Sequence, residues 1–155
     1  MKSADIAARS AARLAAVQAL YQMEVSGAST ADVLEDFRAG KLPRETEATY
    51  ADAEGDAELF KVLIEKAVER QATLDRAIAR HLSKGWRLER IDAVARAILR
   101  AGAAELEQRR DVPKAVVLDE YVEIANAFFD GPEPGFINAA LEACARDLRS
   151  EGESA

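Results

Sequence analysis

Residues 109–141 read RRDVPKAVVLDEYVEIANAFFDGPEPGFINAAL and contain two helix starts separated by one turn. Asp111 can cap free amides and Pro113 loses no hydrogen bond at a first helical position, so a helix is predicted to begin near Pro113. Val117, Tyr121, Ile124 and Phe128 recur at spacings of four, three and four, which places them on one face. Asp119, Glu120 and Glu123 form an acidic margin beside that face. The run 130–135, DGPEPG, cannot extend the helix, because proline lacks the amide and glycine opens the backbone. Phe136-Ile137-Asn138 is then read as the opening of the next helix.

Working outward, the rest of the chain repeats this helical grammar. Residues from about Asp5 to Val25 carry Ile6, Ser10, Leu14, Val17 and Tyr21 on one stripe, ended by Gly27. A second helix follows Ser29 or Thr30 and stops at Gly40, with Val33, Leu34 and Phe37 inward. Residues 41–55 are polar and read as the longest loop. A long third helix is predicted from about Asp56 to Leu82, with Leu59, Phe60, Leu63, Val68, Leu74 and Ile78 in the core and Gly85 as its breaker. A fourth runs from about Leu88 to Gln108 and buries Ile91, Ala95, Ile98, Gly102 and Leu106. Gly102 costs about 1 kcal/mol against alanine unless a neighbouring helix needs close approach, so it marks a helix crossing. The last helix buries Phe136, Ile137, Leu141, Cys144 and Leu148, and residues 150–155 read as a loose tail. The expectation is an all-α chain of about six to seven helices in two packed bundles. It has no sheet, and residues 1–150 form one domain.

Composition narrows the function. The chain has 155 residues, 49% of them hydrophobic, and a net charge of −7, so binding to nucleic acid over its whole surface is disfavoured and any such contact must be local. A single cysteine, Cys144, excludes an internal disulfide and suits a reducing cytoplasm. No signal core and no membrane-length apolar run is present. With one histidine, one cysteine and no glycine-rich phosphate loop, the chain lacks the parts of a nucleophilic triad, a metal cluster or a nucleotide cradle. No enzyme, cofactor or metal is therefore expected. Lys2, Arg9 and Arg13, at steps of seven and four, project from one side of the first helix. That strip is either a solvated face or a phosphate-binding one.

Asp111, Val112, Pro113, Val116, Asp119, Glu120, Phe136 and Asn138 together resemble the C-terminal pattern of the NusB family of transcription antitermination factors. Ala139 stands where the family usually has glycine. Upstream, residues 16–21, AVQALY, are similar to the family's first helix. Trp86, Arg90-Ile91, residues 96–100 and Glu105-Leu106 are similar to its central helix, with Ala104 at a place usually aromatic. The resemblance spans nearly the whole chain.

It implies a factor that binds single-stranded boxA RNA with the ribosomal protein NusE and supports an RNA polymerase complex during ribosomal RNA transcription. Arg9 and Arg13 would hold phosphates, with Lys2 beside them, although Ser10 and Ala11 thin the arginine run. Tyr21 and Phe136 match positions linked to base contacts, but each is equally readable as a stripe residue or a hydrophobic staple. Asn138 would hydrogen-bond RNA or cap its own helix. Asp119, Glu120 and Glu123 would face the protein partner. His81 lies near a position often aromatic and reads more simply as a cation at a helix C-terminus. Trp86 reads as a core anchor between two helices. Two rivals stand beside this reading. One is a helical adaptor or homodimer without an RNA role; the other is a NusB-like piece of a ribosomal RNA cytosine methyltransferase.

Overall fold

The computed structural model describes residues 3–41, 56–82 and 86–149. Among them are seven α-helices and no strand: α1 (Ser3–Ser26), α2 (Thr30–Arg38), α3 (Ala57–Glu69), α4 (Gln71–Arg80), α5 (Ala93–Gln108), α6 (Lys114–Phe128) and α7 (Glu133–Arg149). A single 3₁₀ turn, Leu88–Arg90, precedes α5. The all-helical expectation holds. Gly85, the expected loop over 41–55 apart from Lys41, and the expected tail over 150–155 lie outside the described residues.

The apolar stripes build two cores that share α1. On one side, Ala12, Ala16 and Ala19 of α1 meet Val33 and the α3 residues Leu59, Phe60, Leu63 and Ile64, with Phe37 stacked on Phe60 at 4.1 Å. On the other, Leu14 and Val17 join the inward faces of α4, α5, α6 and α7. Alanines on α1 let helices approach closely on one side, while its larger residues fill the other. α5 runs through the larger core and is buried almost all round, as expected of a helix apolar on every side.

Local chemistry sets the helix ends. The Ser29 hydroxyl accepts from Asp32 N–H at 3.1 Å and the Asp32 carboxylate accepts from Ser29 N–H at 3.0 Å, a reciprocal cap that starts α2. Gly27 and Gly40 follow helix ends at φ of 77° and 70°, where a side chain would be strained. Asp92, not anticipated as a cap, accepts from Val94 N–H at 2.7 Å and starts α5 four residues past Leu88.

Several expectations need correction. The long third helix is two helices, broken at Arg70 (φ −107°, ψ 19°) without glycine or proline. α3 packs against α1, α2 and α5, whereas α4 packs against α5 and α7, so the chain must turn to serve both cores. The Arg70 guanidinium is gripped by Glu107 of α5 at the bend, 2.5 Å and 2.9 Å away. Val68, just before the bend, is consequently exposed rather than buried, as is Ile6 near the start of α1. α6 does begin at Pro113, but Asp111 does not cap it; its carboxylate accepts from Arg109 Nε at 3.3 Å. α7 starts at Glu133, three residues earlier than expected, because Pro134 is tolerated within a first turn.

α5 and α6 both pack on α1, and α5 and α7 end together. Arg149 donates to the carbonyls of Leu106 (2.7 Å) and Arg109 (2.9 Å), satisfying acceptors near the end of α5. Where α1 ends, Glu24 accepts from Arg96 Nε at 2.7 Å and Nη2 at 2.6 Å and from Arg100 at 3.3 Å. The Arg96 hydrogen bond holds the Glu24 carboxyl below its ordinary range. Because the folded value is depressed, its contribution to stability is full above about pH 4.5, the ordinary value, and is lost as pH falls through the lowered one. Glu24→Gln is therefore expected to lower the thermal midpoint at pH 6 and to converge on the parent as pH falls through that lowered value. Melting curves across that range check it; a gap independent of pH would refute it.

Candidate RNA and partner interface

The expected basic strip divides in three. Lys2 lies outside the described residues. Arg9 is half-buried, stands within electrostatic reach of Asp111 and forms no ion pair among the described residues. Arg13 is only 3% exposed and is not available to a phosphate, which corrects its assignment as an RNA contact.

Arg13 is the centre of a buried polar network. Its Nε donates to Glu105 Oε1 (2.8 Å) and Oε2 (3.1 Å), and its Nη2 to Oε2 at 2.7 Å. Glu105 is wholly buried and also accepts from the Tyr121 hydroxyl at 2.9 Å. Arg13 Nη1 reaches Glu120 Oε1 at 2.8 Å, and the same oxygen accepts from Ser10 Oγ at 2.5 Å. Burial opposes the Arg13 charge, but the hydrogen bonds and charge of Glu105 outweigh it and raise its affinity for the proton. Burial, then the charge of Glu105, pushes the Tyr121 phenol well above its ordinary value. A bidentate guanidinium–carboxylate pair with a third donor satisfies groups that would otherwise be costly to bury. The network clamps α1 to α5 and α6.

Glu120 is half-buried and engaged in this clamp through one carboxylate oxygen. Asp119 and Glu123 are the fully exposed acids of the α6 margin beside it. The network was partly legible: Ser10 sits on the predicted stripe, Arg13 is one turn on, and Glu105 is an acid that directly follows a run of small apolar residues in its helix.

α1 and α6 run in the same direction. Arg9 stands by Asp111, Arg13 by Glu120, and Tyr21 shares a groove with Phe128. Arg9 and Tyr21 are therefore about 18 Å apart along α1, at 1.5 Å per residue. The groove, of about 560 Å³, is lined by Val17, Tyr21, Val25, Val94 and Phe128, with Asp36 and Lys41 among its polar members. Tyr21, Val25 and Phe128 are 40%, 65% and 37% exposed. Phe128 is thus a groove wall, not the core residue expected.

Phe136 stacks on Trp86 with centroids 4.2 Å apart and planes 21° from parallel. Both rings are half-buried against the larger core, so Trp86 is an anchor as expected and also a neighbour of the predicted site. Asn138 is exposed, but it stands two residues from Phe136 across the buried Ile137, on the opposite flank of α7. Phe136 lies at the start of α7, whereas Arg9 lies near the start of α6. The short connection between α6 and α7 puts these at opposite ends of the pair. Arg9 and Phe136 therefore do not form one compact patch, because parallel packing of α1 on α6 separates them.

His81 ends α4 and its Nε2 lies 2.6 Å from Asp147 of α7, which Arg80 also reaches at 3.1 Å. The His81 hydrogen bond holds the Asp147 carboxyl below its ordinary range. This is an inter-helix tie. Cys144 is fully buried, its thiol pushed up to about 12 by desolvation, which makes it a packing residue. Among the described residues no group of three or more His, Cys, Asp or Glu could hold a metal ion, and no helix is long and apolar enough to cross a membrane.

Two helical bundles sharing α1, with an apolar groove and a stacked, half-buried aromatic pair, define an all-helical, NusB-like structure. The chain belongs to the NusB family, whose model matches residues 10–146; its members are antitermination proteins rather than enzymes. It is 54% identical over 149 residues to the transcription antitermination protein NusB of Caulobacter vibrioides, covering 96% of this chain and 99% of that one. Against the same protein of Maricaulis maris it is 52% identical over 143 residues, 92% of this chain and 89% of that one. Among solved structures, T. maritima NusB superimposes with a TM-score of 0.70 at 28% identity, covering 90% of this chain and 91% of that one.

Proposed function

We propose that this chain acts through residues 1–150 as one cytoplasmic binding unit. It holds boxA RNA together with NusE and thereby supports an RNA polymerase complex against termination, chiefly in ribosomal RNA transcription. The carrying observation is its similarity over nearly its full length to transcription antitermination proteins. Arg9, the described α1 cation that makes no ion pair, holds phosphate, and Lys2 is a second cation for the same strand. Phe136 offers a ring to bases, and Asn138 a hydrogen bond on the other flank of α7. Tyr21 serves the protein partner better than the RNA: it opens on a groove of exposed apolar side chains, the surface that a protein covers and a phosphate strand does not. Asp119 and Glu123 suit the basic character of a ribosomal protein.

Titration of a labelled boxA oligonucleotide, with and without NusE, tests this reading. The parent is expected to bind more tightly when NusE is present, and Arg9→Glu to weaken binding severalfold and flatten its salt dependence. Unchanged affinity and slope would remove Arg9 from the site. A dimer on size exclusion that ignores both RNA and NusE would instead support the adaptor reading.

A further inference from the structure

We infer that Arg96 of α5 is a positioning residue that couples the groove beside Tyr21 to the turn before α5, so that a protein seated on the groove tightens that turn without touching it. The inference rests on the reading above that seats the protein partner at Tyr21. The Arg96 guanidinium is divided between two elements. Its Nε and Nη2 donate to the two oxygens of Glu24, near the end of α1, at 2.7 Å and 2.6 Å. Its Nη1 donates to the carbonyls of Leu88 (2.8 Å) and Ile91 (2.9 Å), at the start of the 3₁₀ turn and just past its end. All three nitrogens are engaged in one planar fork and the side chain is only 13% exposed, so Arg96 cannot follow one element without loosening its hold on the other.

Each side of this bridge ends at a surface feature. Glu24 stands one helical turn beyond Tyr21 and next to Val25, and Val94, two residues before Arg96, lines the same groove as both. On the other side, the turn is preceded by Trp86, whose ring stacks on Phe136 of α7. Glu24 also accepts from Arg100 at 3.3 Å, and Arg100 grips Asp75 of α4 at 2.9 Å and 2.8 Å, which anchors the carboxylate to a third helix. Neither Glu24 nor Arg96 lines the groove, yet the Glu24 side chain is 33% exposed. A protein covering Tyr21 and Val25 removes water from beside Glu24, and the attraction of its carboxylate for Arg96 grows as the effective dielectric falls. Arg96, held more firmly, fixes the backbone that carries Trp86. Coupling of this kind is reciprocal, so a ligand that orders the turn strengthens the partner's hold on the groove by the same factor.

Trp86 is the only tryptophan, so a fluorine on its indole reports on the turn alone. The test records the fluorine NMR resonance of the chain carrying fluorotryptophan, with unlabelled NusE and no RNA, for the parent, Glu24→Gln and Arg96→Lys. Arg96→Lys keeps the charge, but one ammonium cannot span two carboxylate oxygens and two carbonyls, so a role in charge balance survives it and a positioning role does not. NusE affinity, measured by calorimetry, is expected to stay within about threefold of the parent in both variants, because neither side chain lines the groove. The parent resonance is expected to shift on saturation with NusE, and the shift to fall by about half or more in each variant. NusE binding that leaves the parent resonance unmoved, or a shift undiminished in either variant, would overturn the coupling and leave the binding reading standing. NusE that does not bind the parent, or that binds Tyr21→Asp as tightly as the parent, would remove the groove reading and this inference together.

Discussion

Arg13→Ala is expected to lower the unfolding free energy by about 3–5 kcal/mol, the usual cost of removing one partner from a buried ion pair. Glu105 would be left charged and wholly buried with only the Tyr121 hydroxyl as donor, and α1 would lose this tie to α5 and keep only the Ser10–Glu120 hydrogen bond to α6. At about 2–4 °C per kcal/mol for a domain of this size, the thermal midpoint should fall by roughly 10 °C. Arg13→Lys is expected to recover only part of the loss, because an ammonium cannot span both carboxylate oxygens in the fixed fork that Arg13 uses. Replacing the buried members together, as R13M/E105L/Y121F, should restore most of the stability, since no charge or hydroxyl then remains stranded. Denaturant unfolding with a constant m-value measures all three. The folded fraction of Arg13→Ala should bind RNA as the parent does. An Arg13→Ala protein as stable as the parent, with weakened RNA binding, would mean that Arg13 faces the ligand after all.

Gly102→Leu carries the second large effect. A Cβ at Gly102 would already lie 2.8 Å and 3.0 Å from the two methyls of Leu141, which is itself completely buried where α5 crosses α7. The helix gains about 1 kcal/mol by losing a glycine. Three further carbons in a filled crossing force the helices apart, and overpacking of that kind typically costs 1–3 kcal/mol, occasionally more. The net loss for Gly102→Leu is therefore expected at up to about 2 kcal/mol. Gly102→Ala should fall near zero, because one methyl can be met by a shift of the Leu141 side chain. Combining Gly102→Ala with Leu141→Val should be less damaging than the sum of the two changes, because the smaller partner vacates the space that the new methyl needs. A strictly additive double variant would show that Leu141 is not what confines Gly102.

Much of the fold was readable from periodicity and punctuation. The face Val117, Tyr121, Ile124 is buried as its spacing requires, Gly27 and Gly40 follow helix ends at positive φ, and Gly102 does mark a crossing. Breaks without a breaker were not readable. Arg70 is a good helix former in a continuous apolar pattern, and the bend there exists because α3 and α4 serve different cores. The candidate site was less legible. A helical wheel puts Arg9 and Arg13 side by side, yet it does not say which of them meets a carboxylate from 92 positions away. Nor does spacing reveal that Trp86 and Phe136 meet, although an isolated tryptophan beside two arginines was a signal available to find them.

By itself, the sequence determined that this chain is all-helical, where most helices begin and end, which faces turn inward, and to which family it belongs. These depend on the 3.6-residue repeat, on caps and on backbone freedom, all of which act over a few neighbouring residues. Only the tertiary structure decided that Arg13 is a clamp, that Phe128 walls a groove, and that Arg9 and Phe136 stand at opposite ends. The reason is that the parallel packing of α1 on α6, and the meeting of buried charges across distant helices, are settled by how whole faces fit together.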